Sequence, residues 1–377
     1  MDEATRCRRC VMDTTDPGIV FDQEGICSHC RIVEQTRSQP PYCLESSGKK
    51  ALLEKKISAL KNYRGGGKYH CLIGLSGGVD SSYVALLLKR YGVNPLAVHL
   101  DNGWNSEIAV QNIEKLCRNL HIDLVTELAA WDEFRSLQLA FLNASTPDSE
   151  IPTDHALHAV LQRLAARSGC RTIVIGSNYN SEAILPAAWS HGHFDWKYIR
   201  NVHQIFSPIP IKTYPHISYS RQFYYAFLKR IQYFPILDFV DYDKESAKVE
   251  LSTEIGWQDY GGKHEESRFT KFFQQYILPV KFGFDKRKAH LSSLIMAKML
   301  TRDQALEKLE QPLYDEKKIE LDKRYVIHKL GISEKEFASI MALPPKKFGD
   351  YLSYENSWYY NKLRFLYRVF LKKSHLS

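Results

Sequence analysis

The run Cys71-Leu72-Ile73-Gly74-Leu75-Ser76-Gly77-Gly78-Val79-Asp80-Ser81-Ser82 constrains the chain more than any other stretch. An apolar, strand-like segment ends at Leu75. A Ser-Gly-Gly turn follows, and Val84-Ala85-Leu86-Leu87-Leu88 continues as a helix. The two glycines let the backbone turn tightly and bring its N–H groups close to a ligand. Ser76, Ser81 and Ser82 add hydroxyls, and the helix adds its orphan N–H groups and the positive end of its dipole. The combination is an anion nest suited to phosphate. It lacks the lysine of Gly-x-x-x-x-Gly-Lys-Ser/Thr and does not follow Gly-x-Gly-x-x-Gly, so neither of those loops is present.

The pattern around this loop is an alternation of strands and helices. Strands are expected at Tyr69–Leu75, Pro95–Leu100, Ile122–Glu127 and Thr172–Ile175, with helices at Ser82–Tyr91, Glu107–Leu120 and Thr153–Ser168. Short, apolar, β-branched strands read as a parallel sheet covered on both faces. The fold class is therefore α/β with a doubly wound parallel sheet. Ligands in such sheets sit beyond the carboxyl ends of the strands. The Ser76 loop, the Asp101-Asn102-Gly103 turn and the Gly176-Ser177-Asn178 turn all fall there. Asp101 is a candidate acceptor for ribose hydroxyls or an adenine amine, or else a turn-closing carboxylate. Asp80 is the best candidate to face a Mg²⁺ ion, because it sits inside the phosphate loop; Glu182 is a second. Residues 146–156 form a polar loop entering a helix, with Thr153 as an N-cap, and are placed to line an acceptor pocket.

At 377 residues a single core is not expected. Residues 1–31 carry Cys7-Arg8-Arg9-Cys10 and Cys27-Ser28-His29-Cys30. Two CxxC pairs at this spacing supply four thiolates for a closed structural Zn²⁺ site, and a segment this small needs such a staple. His29 falls inside a knuckle and reads as a bystander. Residues 32–68 read as a linker with one helix, residues 69–216 as the nucleotide-binding α/β domain, and residues 217–377 as a mainly helical region that completes the active site. Net charge is +8, which suits anionic ligands without choosing among them. No apolar leader follows Met1-Asp2-Glu3, and Lys229, Arg230 and Asp238 interrupt the greasiest stretch, Phe223 to Val240. No transmembrane segment and a cytoplasmic location are expected, where paired cysteines argue for metal over disulfides. The His- and Trp-rich stretch 185–216 includes His191-Gly192-His193, for which burial or stacking is the leading reading over a second metal site.

The Ser76–Ser82 motif resembles the SGGxDS signature of the PP-loop (HUP-like) ATP pyrophosphatases, complete at Ser76, Gly77, Gly78, Asp80 and Ser81. Gly261-Gly262-Lys263-His264-Glu265 resembles the second phosphate-contacting segment of asparagine-synthetase-like members of that group. Together with the opening Cys-x-x-Cys-Val-Met-Asp-Thr-Thr-Asp-Pro-Gly, the chain resembles the N-acetyl sugar amidotransferases of bacterial surface-polysaccharide synthesis. That resemblance implies ATP, Mg²⁺ and structural Zn²⁺ as cofactors, and a UDP-linked acetamido sugar as substrate. It also implies ammonia from a separate glutaminase subunit, since this sequence shows no glutaminase nucleophile. Asp80, Lys263, His264 and Glu265 are the implied catalytic residues. Ser76, Gly77, Gly78, Asp80, Ser81, Ser82, Asp101, Gly176, Ser177 and Asn178 are the implied nucleotide contacts. The alternative is a tRNA-modifying enzyme of thiolation type with the same ATP chemistry. It is disfavoured because Cys71, Cys117 and Cys170 stand apart and no CxxC follows residue 30. No nucleic-acid partner is therefore favoured.

Overall fold

The computed structural model describes residues 5–63, 65, 67–262, 265–357, 360 and 362. Lys263 and His264, and the aromatic and basic tail from Trp358 apart from Tyr360 and Lys362, lie outside the described residues.

Helices α1 (Ser28–Arg37) and α2 (Ser46–Asn62) lead into the sheet. There follow β1 (Cys71–Gly74), α3 (Val79–Arg90), β2 (Pro95–Asp101), α4 (Glu107–Asn119), β3 (Asp123–Leu128), α5 (Trp131–Ala144), α6 (Ile151–Ser168) and β4 (Thr172–Ile175). Beyond β4 come α7 (Tyr179–Glu182), α8 (Trp196–Phe206), α9 (Tyr219–Phe223) running into a π-helical turn (Tyr224–Leu228), and β5 (Gln232–Pro235). The remainder is helical: α10 (Lys244–Ile255), α11 (Arg268–Phe272) continued by a π-helical stretch (Phe273–Phe282), α12 (Lys286–Met296), α13 (Arg302–Glu310), α14 (Glu316–Leu330) and α15 (Glu334–Ala342).

The five strands pair in parallel in the order β3-β2-β1-β4-β5. The chain winds outward from β1 to β3, then returns to lay β4 against the other side of β1. The switch point therefore falls between β1 and β4, where a doubly wound sheet opens its ligand crevice. Strands β1, β2 and β4 lie where the sequence pattern puts them, to within two residues at either end, and β3 is shifted by one. Two elements are additional. Helix α5 was not anticipated between β3 and α6, and β5 falls beyond residue 216, inside the range read as helical. A four-residue edge strand ending at Pro235 carries too little alternation to stand out from the aromatic run around it.

Alternating side chains of the central strands feed two separate cores. Leu72, Val98 and Ile173 pack with Phe134, Phe141, Val160 and Tyr198 on one face, a core that continues into Phe269, Phe272 and Val326 of the C-terminal helices. Cys71, Ile73, Ala97 and Val174 pack with Ile57, Leu88, Leu116 and Leu251 on the other. The N-terminal cysteines form a third cluster with Trp189 and Ala289. That segment is fastened to α12 and α13: Lys288 pairs with Asp13 at 2.5 Å, and the Arg302 guanidinium donates to the carbonyls of Cys7 and Cys10, both at 3.2 Å. Among the described residues, no helix is long and apolar enough to cross a membrane.

Leu72 and Ile73 are adjacent, fully buried and committed to opposite cores, whereas Leu128 on the edge strand is 72% exposed. Leu72→Ala and Ile73→Ala should each cost about 2–5 kcal/mol, while Leu128→Ser should shift stability by less than about 0.5 kcal/mol. Chemical denaturation midpoints of the three variants check this.

Candidate active site at the carboxyl ends of the strands

The loop after β1 is held in shape from several sides. Leu75 N–H still bonds Val98 O at 2.9 Å, extending the strand pairing. Gly77 then adopts φ +81°, and a Cβ there would lie 2.3 Å from the Ala109 carbonyl oxygen in the first turn of α4, so only glycine fits. The Gly77 carbonyl accepts from Trp257 Nε1 at 3.1 Å and Asn112 Nδ2 at 3.4 Å. Ser76 Oγ accepts from Gly78 N–H and lies against Ser81 Oγ, both at 3.2 Å. Ser76 is exposed and the glycines behind it are buried, so the loop offers its hydroxyl edge outward. Ser82 is different: it is fully buried, with its hydroxyl in the interior and unpartnered. Gly176 closes the other wall, since a Cβ there would sit 3.0 Å from Ser81 N at the start of α3.

Two carboxylates flank this loop. Asp80, in the first turn of α3, accepts from the Tyr242 hydroxyl, whose pKa burial and the Asp80 charge push up. Glu266 reaches the loop from the C-terminal half: a Cβ on Gly78 would lie 3.6 Å from its Oε1. Burial, followed by the charges of Asp80 and Glu150, raises the Glu266 carboxyl above the usual carboxylate range. Backbone pairing holds Glu266 there. Ser106 N–H donates to Glu266 O at 2.8 Å, Arg268 N–H donates to Trp104 O at 3.0 Å, and Asn105 bridges Ser267 antiparallel. Lys329 of α14 secures the same loop, donating to the Gly103 carbonyl while lying over the rings of Trp104, Trp131 and Tyr325 at 5.1–5.5 Å.

Glu265, singled out from the sequence, faces its own turn and α11, with Gln275 Nε2 at 3.4 Å and Lys271 Nζ at 3.7 Å. Glu266 is the residue the sequence reading passed over. The available signal was its position: neighbouring side chains in an irregular segment point apart, so either acid of the Glu-Glu pair was eligible. Asp101 closes its own turn, with Oδ1 accepting from Gly103 N–H at 2.9 Å and Asn105 Nδ2 at 3.2 Å. Asn178 is buried and caps α7 through Ser181 N–H at 3.0 Å, while Ser177 stands exposed beside it.

The start of α6 is acidic, with Asp148, Glu150 and Asp154 close together. Helix α6 begins at Ile151, two residues earlier than expected, because Pro152 is favourable in the first turn. Thr153 is therefore inside the helix, and its hydroxyl accepts from Asn102 Nδ2 at 3.0 Å instead of capping. Glu150 accepts from Gln274 Nε2 at 2.9 Å and lies 4.0 Å from Lys286. Asp154 is exposed, and the neighbouring charges of Asp148 and Glu150 raise its carboxyl above the usual carboxylate range. Two histidines of this region, His155 and His216, stack against Trp196. His155 is fully buried beside Trp196 and Tyr214, with Nδ1 donating to His193 O at 2.8 Å and Nε2 accepting from Ile217 N–H at 3.1 Å. His216 stacks on Trp196 at 4.2 Å, and His191 pairs with Glu355 at 3.2 Å.

Cys7, Cys10, Cys27 and Cys30 are the group among the described residues assembled to hold a metal, all four fully buried with ligand atoms within 4.8 Å of one another. Cys10 Sγ and Cys27 Sγ are 3.7 Å apart, and Cys7 Sγ and Cys30 Sγ 4.0 Å. Four sulfurs at about 2.3 Å from one Zn²⁺ stand roughly 3.8 Å apart, so the set fits. Backbone N–H groups of Arg9, Met12 and Cys27 point at these sulfurs from 3.3–3.4 Å, as thiolate acceptors require. His29 bonds Asp16 at 2.6 Å and is outside the set.

Cys27→Ser should remove bound zinc and lower the melting temperature, read by metal analysis and calorimetry. Burial holds the His155 imidazole down to about 4, so it should stay neutral through neutral and mildly acidic pH. The unfolded chain takes up that proton near 6.5 and binds more protons between about 4 and 6.5. Stability should therefore fall as pH drops through that window, by on the order of 3 kcal/mol from this group. Imidazole ¹⁵N shifts and melting curves from pH 7 to 4 check both statements.

Residues 266–364 match the family described as "LPS biosynthesis protein WbpG-like, C-terminal domain". Residues 69–134 match the tRNA methyl transferase HUP domain. An uncharacterized protein of Methanocaldococcus jannaschii is 31% identical over 32% of this chain and 41% of its own length. A glutamine-hydrolyzing GMP synthase of Thermosipho africanus is 42% identical over 19% of this chain and 14% of its own. A tRNA(Ile)-lysidine synthase of Chlamydia pneumoniae is 46% identical over 13% and 16%. The chain thus spans less than half the length of each of these relatives. Among solved structures, the NH3-dependent NAD synthetase from Campylobacter jejuni aligns over 80% of this chain and 99% of its own, at 14% identity and TM-score 0.34. A HUP match on the nucleotide-binding part and a WbpG-like match behind it together support a PP-loop ATP pyrophosphatase of WbpG type.

Proposed function

We propose that this protein is an ATP-dependent, AMP- and pyrophosphate-forming amidotransferase. It converts the acetamido group of a UDP-linked sugar to an acetamidino group for a surface glycan, with ammonia from a partner glutaminase. The observation that carries this reading is the convergence of Ser76, Ser81, Asp80 and Glu266 at the switch point of the sheet, under a C-terminal segment from a lipopolysaccharide-biosynthesis family. The match to a glutamine-hydrolyzing synthase supports ammonia as the nitrogen donor.

The chemistry needs no side-chain nucleophile. The amide oxygen attacks the α-phosphate of ATP, the Pα–O–Pβ bond breaks, and pyrophosphate leaves. Ammonia adds to the activated carbon, AMP departs with the former amide oxygen, and loss of a proton leaves the amidine. The Ser76 loop offers N–H and hydroxyl donors to the phosphates throughout. Lys263, within the segment that also holds His264, is assigned to neutralise the leaving pyrophosphate. Asp80 and Glu266 are the oxygen donors assigned to Mg²⁺, which when bound neutralises phosphate charge during transfer. Asp154 and Glu150 are assigned to the acceptor side, where a carboxylate whose proton affinity is raised by its acidic neighbours is suited to taking the proton released as ammonia adds.

A tRNA substrate is the second reading, favoured by the matches to the tRNA methyl transferase HUP domain and to tRNA(Ile)-lysidine synthase. One assay separates the two. The protein is incubated with Mg-ATP, ammonium and either a panel of UDP-linked acetamido sugars or bulk tRNA, and AMP and pyrophosphate are counted. Release that depends on one sugar is expected; release that depends on tRNA would transfer the assignment to the second reading. Asp80→Asn and Glu266→Gln should each lower turnover by about 100-fold or more with unchanged melting temperature, and wild-type turnover would refute the roles given to them.

A further inference from the structure

A groove at the opposite end of the sheet is not used by this chemistry. Its volume is about 350 Å³, and it is lined by Arg163 and Arg167 of α6 and by Arg221, Tyr224, Tyr225 and Lys229 of α9 and the turn that follows. The last turn of α6 precedes β4, Lys229 precedes β5, and Gln232 N–H donates to Arg171 O at 2.8 Å. The groove therefore lies at the amino ends of β4 and β5, whereas the Ser76 loop leaves the carboxyl end of β1.

Three of its four cations lack an acidic partner among the described residues. Residues 155–181 contain no Asp or Glu, and neither do residues 196–237. Arg163 pairs with Glu127 at 2.5 Å, and its Nε is buried without a hydrogen-bond partner. No carboxylate among the described residues lies within ion-pair distance of Arg167, Arg221 or Lys229, and all three are exposed. Collecting these cations around one concavity is repulsive unless an anion joins them. The π-helical turn Tyr224–Leu228 widens the helix just where Tyr224 and Tyr225 enter the wall, a geometry frequent at functional sites. The Arg221 guanidinium stands 5.9 and 5.8 Å from those two rings, and Lys229 Nζ 6.0 Å from Tyr224. Arginine with its fork of donors beside an aromatic wall matches a phosphate carried next to a planar or apolar group. The volume suits one such group, not an extended polymer.

We propose that this groove is a second anion site, which takes a phosphate monoester or diphosphate on Arg167, Arg221 and Lys229 with the adjoining moiety against Tyr224 and Tyr225. The source is either a soluble phosphorylated molecule or a phospholipid headgroup. For the latter, Leu228, 71% exposed, and Phe223, 38% exposed, stand on the same segment.

The test is calorimetric titration of inorganic pyrophosphate into the full chain with saturating α,β-methylene-ATP, which occupies the nucleotide site. One further pyrophosphate should bind. The triple variant R167Q/R221Q/K229Q should bind it at least about 10-fold more weakly with an unchanged melting temperature, since loss of one charge-assisted contact alone is worth that factor. A parallel arm sediments the protein with phosphatidylglycerol or phosphatidylcholine vesicles. Pyrophosphate binding without vesicle binding supports a soluble ligand; retention by phosphatidylglycerol vesicles, lost in the triple variant and in Leu228→Ser, supports a headgroup. Absence of both, or binding of both that the triple variant leaves unchanged, overturns the proposal.

Discussion

The site depends on a short backbone seam. Residues 104–106, which follow β2, pair with residues 266–268, which open the C-terminal helices. Without that seam, the Ser76 loop would keep Tyr242 and Trp257 against it but would have Asp80 as its one flanking acid among those described above. With it, Glu266 is carried to Gly78, and Trp104 is buried between Phe269, Trp131 and Tyr325. Two or three backbone bonds are weak on their own, each worth about 1 kcal/mol. The aromatic packing and the Lys329 clamp beside them supply the rigidity that the proposed phosphate chemistry requires.

The same economy is visible at the N-terminus. A segment built around four buried cysteines, a set that fits a metal ion, is fastened from outside by Arg302, Lys288 and Ser292. Those contacts come from α12 and α13, so the first and last parts of the sequence meet in one cluster with Trp189 between them.

Much of this was legible in the sequence. Parallel strands betray themselves by continuous apolar runs, and the Ser-Gly-Gly turn by glycines that nothing else can replace; Gly77 is the clearest case, since its neighbour across the turn is a backbone carbonyl. Cysteine spacing pointed to the four-thiol cluster because knuckle geometry is local. What escaped was set by partners distant in sequence. Glu266 matters through Ser106, Thr153 lost its capping role to Asn102, and β5 is a strand only because β4 offers it an edge. The basic groove was also hidden: its cations are scattered over α6 and α9 and become a cluster once the sheet brings both helices together.

The most direct measurement follows one oxygen atom. A UDP-linked acetamido sugar carrying ¹⁸O in its amide carbonyl is turned over with Mg-ATP and ammonium, and the products are weighed by mass spectrometry. The account predicts one ¹⁸O in AMP, none in pyrophosphate, and a sugar product in which oxygen has been replaced by NH. Label retained in the sugar, or found in free phosphate with ADP as the nucleotide product, would contradict adenylylation at this site.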